Sequence, residues 1–68
     1  MFGKRFKHLR KERKVPQQQL ADVMGVKLRA YQFYETEERE PGLQGLIALA
    51  DFYDVSLDYL VGRKDTPN

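Results

Sequence analysis

Gly25 is the residue that most constrains how this chain can fold. On either side of it, apolar residues recur at helical spacing over short segments. Leu20, Ala21 and Met24 stand at i, i+1 and i+4 and put one apolar stripe on a helix over 17–24. Ala30, Tyr31 and Tyr34 do the same for a helix over 28–35. Met24-Gly25-Val26 between them is a short turn, and glycine can take the positive φ that a sharp helix-to-helix bend often requires. Residues 17–35, QQQLADVMGVKLRAYQFYE, therefore read as helix, tight turn, helix.

The flanking sequence supplies three more helices. Phe2, Phe6 and Leu9 form the buried stripe of a first helix over 2–13. Val15-Pro16 breaks the chain, and Pro16 suits the first turn of the second helix. Leu46, Leu49, Ala50 and Tyr53 are the core stripe of a fourth helix over 43–53, with Leu43 at the core's edge. Asp54-Val55-Ser56 turns the chain, and Ser56 is the expected N-cap of a last helix over 57–61. Leu57 and Leu60 can close the core, and Gly62 ends the helix. The expected fold is all-α: five helices in a single domain over 1–68, with its core in 2–62 and a polar, frayed tail at 63–68.

Sixty-eight residues leave no room for a second core or for a cleft between lobes. A domain of this size buries only about 60% of the surface its unfolded chain exposes, so marginal stability is expected. With no cysteine, disulfides, thiolate nucleophiles and thiolate metal sites are all excluded. No apolar run approaches the roughly 18 residues of a membrane span, and the N-terminus is too basic and interrupted for a signal peptide. A cytoplasmic protein that does not engage a membrane is expected. His8 has no companions at ligand spacing, and nothing marks a base for Ser56, the lone serine. The sequence therefore points to neither an enzyme, a metal site, a cofactor nor a small-molecule ligand.

Charge is distributed unevenly around a net +2. Lys4, Arg5, Lys7, Arg10, Lys11, Arg13 and Lys14 crowd the first fourteen residues against Glu12 alone. From residue 35 to 61, Arg39 stands against Glu35, Glu37, Glu38, Glu40, Asp51, Asp54 and Asp58. A basic front half of this kind is the footprint of an anionic partner. Lys4, Lys7, Lys11 and Lys14 recur at three- and four-residue spacing, which costs an isolated helix a few tenths of a kcal/mol per like-charged pair. That row is either a solvated face or a patch for DNA phosphates, whose condensed counterions lysines displace. No Ser, Thr or Asp caps the second helix, so Gln17, Gln18 and the free N–H groups beside them suit a phosphate, or simply a helix started by proline.

With Tyr31 and Tyr34 inward, Lys27, Leu28, Arg29, Gln32 and Phe33 face outward. Lys27 in the N-cap region opposes the helix dipole, and Leu28 and Phe33 are large apolar groups expected to be exposed. Choices that work against stability are expected where function sets the residue. Arg29 can donate bidentately to guanine, Gln32 can pair with adenine, and Leu28 can touch a thymine methyl. For Arg29, phosphate contact and plain surface remain open. Phe33 can instead pack on the following loop or on a partner subunit. Ile47 and Phe52 lie off the fourth helix's core stripe and, with Leu57 and Val61, form a patch expected to dock a second copy.

The segments LRKERKVPQQQLADVMGV, LIALADFYDVS and LDYLVGR, together with Tyr31, Tyr34-Glu35 and Pro41, resemble the DNA-binding domains of lambdoid phage repressors and Cro. The likeness covers about residues 4–63 and implies five helices, the third entering the major groove, and a dimer reading a palindromic operator. It implies a phosphate contact for Gln17, base and backbone contacts for positions 27, 28, 29, 32 and 33, and a salt bridge between Arg10 and Glu35. One departure stands out. Where the family often has Asn-Gly and then basic residues, this chain has Thr36-Glu37-Glu38-Arg39-Glu40-Pro41-Gly42, which would repel phosphates or dock on the basic face of another subunit.

The function expected from residues and resemblance together is a DNA-binding transcription regulator, a repressor acting as a homodimer on double-stranded DNA. The alternative is a protein-interaction module on the same fold, antitoxin-like or an anti-regulator, with weak DNA affinity. Steep salt dependence of duplex binding would separate the first from the second.

Overall fold

The computed structural model describes residues 2–67, the side chain of Phe2 excepted, so the place expected for that ring in the first stripe lies outside what is described. Five helices follow one another: α1 (Phe2–Arg13), α2 (Gln17–Met24), α3 (Leu28–Thr36), α4 (Leu43–Tyr53) and α5 (Leu57–Leu60). Among the described residues there is no strand. The apolar stripes meet in one core of Phe6, Leu9, Leu20, Ala21, Tyr31, Leu49, Ala50, Tyr53, Tyr59 and Leu60. α2 packs chiefly on α4 and α3, and α1 packs on α3 and α5. α3 is thereby held from behind by α1 and α2, with its other face outward.

Three of the four connections are built alike. Lys14-Val15-Pro16, Gly25-Val26-Lys27 and Asp54-Val55-Ser56 each consist of a left-handed residue, a valine and an extended N-cap. At each corner the valine N–H donates to the carbonyl five residues back, at 3.0 Å, as Val15 does to Arg10, Val26 to Ala21 and Val55 to Ala50. The left-handed residue donates to the carbonyl three residues back, which closes the helix C-terminus. Each valine then tucks against the core. Only Gly25 adopts its positive φ of 70° without steric cost; Lys14 at 56° and Asp54 at 57° carry a side chain there. The other caps follow the chemistry present: Ser56 Oγ accepts from Tyr59 N, while Pro16 and Lys27 offer no side-chain cap.

The α3–α4 connection is the exception. Glu37 takes φ 67° and ends α3, and the chain runs through buried Pro41 to the N-cap Gly42. Gly3 is buried where α1 starts, against the carbonyls of Tyr34 and Glu35 and the Glu37 side chain, so a Cβ would not fit. Glu37 thus lies on the first turn of α1 within its own chain, beside Lys4.

Several expectations need correction. α3 runs one residue further, to Thr36, and α5 stops at Leu60. Leu43 sits in the first turn of α4 but is 65% exposed, outside the core rather than at its edge. Leu57 is exposed too, and Leu60 closes the core with Tyr59. Val61 is half-buried. The tail is not frayed over its described length: Ser56 N donates to Pro67 O at 2.8 Å, and Arg63 N donates to Asp58 O at 2.7 Å. Arg5 lies over the Tyr59 ring at 4.2 Å and reaches Asp65 at 3.6 Å, tying that return to α1.

Candidate nucleic-acid interface

The outward side of α3 adjoins a cleft of about 580 Å³ lined by Lys7, Arg10, Lys11, Gln17, Gln32, Glu35 and Thr36. Its floor is an ion pair. Arg10 donates through Nε to Glu35 Oε2 at 2.6 Å and through a terminal nitrogen to Glu35 Oε1 at 3.2 Å. The Glu35 side chain is 5% exposed and that of Arg10 17%, so the pair is largely out of water. Burial alone would push the Glu35 carboxyl up; the Arg10 guanidinium first, then the Tyr31 hydroxyl and the Gln17 amide, hold it below the usual carboxylate range.

From that pair a chain of amides runs toward the surface. Gln17 Nε2 donates to Glu35 Oε1 at 3.2 Å, and Gln32 Nε2 donates to Gln17 Oε1, also at 3.2 Å. The carboxylate accepts only, so it orients the Gln17 amide, and the Gln17 carbonyl in turn orients Gln32. Gln32 keeps its carbonyl and one N–H free of that bond, the donor and acceptor pattern that fits an adenine edge. Sequence spacing gave no sign that residues 17 and 32 touch.

The residues singled out from the sequence fall into groups. Lys7, Lys11, Gln17 and Gln32 are brought to the one cleft. Lys4 lies apart, beside the acidic loop. Lys14 turns off the row of lysines, because α1 ends at Arg13 and Lys14 is the left-handed residue of its corner. Gln18 is exposed and donates to Asp22 at 3.0 Å. Lys27 and Arg29 are exposed on α3. Leu28 and Phe33 are half-buried rather than exposed. The reason for Phe33 is visible: the Arg29 guanidinium stands 5.2 Å from its ring centroid and that of Arg39 stands 5.0 Å away. Arg39 reaches this place because the turn at Glu37 folds the loop back, with Glu38 N and Arg39 N both donating to Phe33 O. Sequence reasoning had not singled out Arg39. Of the apolar patch, Ile47 is 39% exposed and Phe52 and Leu57 each 37%, on α4 and α5.

The arrangement offers an outward helix face with exposed Lys27 and Arg29, backed by a polar cleft with Lys7 and Lys11 at its rim. No helix of the described residues is long and apolar enough to cross a membrane.

The helix-turn-helix family model matches residues 6–60. Among curated proteins, an uncharacterized HTH-type transcriptional regulator of Bacillus subtilis, YobD, is 41% identical over 68 residues, covering all of this chain and 61% of its own length. The cryptic phage CTXphi transcriptional repressor RstR of Vibrio cholerae is 40% identical over 47 residues, 69% of this chain and 42% of its own. The chain thus spans between two fifths and about three fifths of these two relatives. Among solved structures, the P22 c2 repressor in complex with a synthetic operator superposes with a TM-score of 0.84 at 33% identity, over 94% of this chain and 97% of that one. A transcriptional regulator from Listeria innocua superposes with a TM-score of 0.88 at 32% identity, over 91% of this chain and 58% of the other.

Proposed function

This chain belongs to the helix-turn-helix family of Cro and C1 type, and on that footing we propose that it binds double-stranded DNA by sequence as a cytoplasmic transcription regulator. The observation that carries the reading is the outward face of α3. Exposed Lys27 and Arg29 stand there beside Gln32, whose amide is oriented through Gln17 by a partly buried ion pair. In this reading α3 lies in the major groove, and Lys27, Leu28, Arg29, Gln32 and Phe33 meet base edges. Gln17, Gln18, Lys4, Lys7, Lys11 and Lys14 hold phosphates, with Lys7, Lys11 and Gln17 central because they rim the cleft. Two copies pair through Ile47, Phe52, Leu57 and Val61 and read a palindrome, repressing by occupying it. The P22 c2 repressor supports this reading because its structure was determined on an operator.

Selection from random duplexes, followed by titration of the enriched duplex at several salt concentrations, tests the proposal. A linear fall of log affinity with log salt is expected, steep enough for several phosphates. Arg29→Ala is expected to cost about 1–3 kcal/mol on the enriched duplex and to relax one base position. Absence of enrichment, or binding indifferent to salt, would refute the DNA-binding reading.

A further inference from the structure

We propose that Arg29, Phe33 and Arg39 act as one recognition unit for a guanine and a 5-methylpyrimidine within about two base pairs of it, with the acidic loop supplying Arg39 to hold the Phe33 ring. This rests on the reading of α3 as the groove-entering helix.

The loop carries Glu37, Glu38 and Glu40 around Arg39, yet among the described residues Arg39 pairs with none of them. Its guanidinium lies instead by the Phe33 ring at 5.0 Å, within the reach of a cation–π contact. Two of the three glutamates are turned to partners in the chain: Glu37 lies on the first turn of α1, and Glu38 accepts from the Thr36 hydroxyl at 3.1 Å. The loop therefore brings its one cation to the Phe33 ring on α3.

Arg29 lies one helical turn before Phe33, with its guanidinium 5.2 Å from the ring. Neither arginine is in an ion pair among the described residues, so the donor edges of Arg29 are available to guanine O6 and N7. Base pairs stack at about 3.4 Å, so a ring 5.2 Å from the guanidinium that reads a guanine lies within about two base pairs of it. What an aromatic edge can recognise there in the major groove is the C5-methyl of a pyrimidine. Thymine and 5-methylcytosine carry the same methyl. Arg39 is a positioning residue in this scheme: it holds the ring from the loop side, so that methyl and guanine are read together.

The test uses the duplex enriched by selection. The enriched sequences are expected to hold a thymine within about two base pairs of a guanine. Replacing that thymine by deoxyuridine, which removes only the methyl, is expected to weaken the wild-type protein about fourfold, the worth of one buried methyl. Phe33→Ala is expected to bind the two duplexes equally, and Arg39→Ala to lose most of the discrimination while its urea midpoint stays at the wild-type value. Arg39→Lys is expected to fall between, since an ammonium lacks the planar face of a guanidinium. Placing cytosine and then 5-methylcytosine at the position identifies the source of the methyl. Restoration by 5-methylcytosine supports the unit, and tighter binding than to thymine assigns methylated cytosine as its ligand.

Equal wild-type affinity for thymine and deoxyuridine overturns the proposal and leaves DNA binding standing. So does an Arg39→Ala protein with undiminished methyl discrimination. A wild-type protein that binds no duplex overturns both readings together.

Discussion

Glu35 keeps its charge in a place with little water because Arg10 donates to it twice and Gln17 once, and the Tyr31 hydroxyl also favours the carboxylate. Removing Arg10 leaves a partly buried carboxylate without its cation, which costs about 1–3 kcal/mol. Arg10→Ala is expected to show that loss in urea unfolding. Because the folded-state pKa of Glu35 lies below its ordinary 4.5, the stabilisation is complete above that pH. It is lost as pH falls through the lowered value, so the wild-type protein should weaken on the acid side more than Arg10→Ala does. Tyr53 behaves in the opposite sense. Its hydroxyl is buried with no hydrogen-bond partner among the described residues, and burial pushes it up to about 12. The neutral phenol is the form the fold accepts, so its contribution is whole below pH 10 and is lost as pH rises through about 12. Tyr53→Phe removes a hydroxyl that was stripped of water without compensation. It is expected to leave urea stability unchanged or raise it by about 1 kcal/mol, and to blunt the alkaline loss.

At the scale of elements, the repeated corner governs how the helices turn. A left-handed lysine is strained by about 1 kcal/mol relative to glycine, so Lys14→Gly should stabilise by roughly that amount, read as a higher urea midpoint. Gly3 has the reverse role. An alanine there would drive its Cβ into the Tyr34 and Glu35 carbonyls and separate α1 from α3, at a cost of about 2 kcal/mol. Gly42→Ala meets open space but puts a poorer residue at the N-cap of α4, and is expected to cost about 0.5–1 kcal/mol. Much of this level was legible in the sequence. The five helices lie within one residue of their expected ends, because a 3.6-residue period and the breakers between helices are local signals. The corner was less legible. Two of its three left-handed positions carry lysine and aspartate, and only valine recurs at the following position.

At the scale of the whole domain, the described residues span 28 × 22 × 20 Å. In the proposed reading each copy takes one half-site of a palindrome and two copies cover the whole. The surface that would join them carries Ile47, Phe52 and Leu57, each more than a third exposed, with Leu43 more exposed still. Ile47→Asp is expected to lower the sedimentation mass toward one subunit and to weaken operator binding without changing the urea midpoint. A wild-type mass of one subunit at tens of micromolar would remove the dimer from the proposal.

The sequence by itself determined which stretches are helical, which face of each is apolar, and that the basic charge lies toward the front of the chain. All three are written in windows of a few residues, where backbone preference and apolar spacing act. Only the tertiary structure decided which polar groups meet. Gln17 and Gln32 are joined because α2 and α3 cross where they do. Arg39 reaches Phe33 because Glu37 turns left-handed, and Leu43 is left outside because α4 packs through another face. Such pairings depend on how helices cross and loops return, which no local spacing encodes.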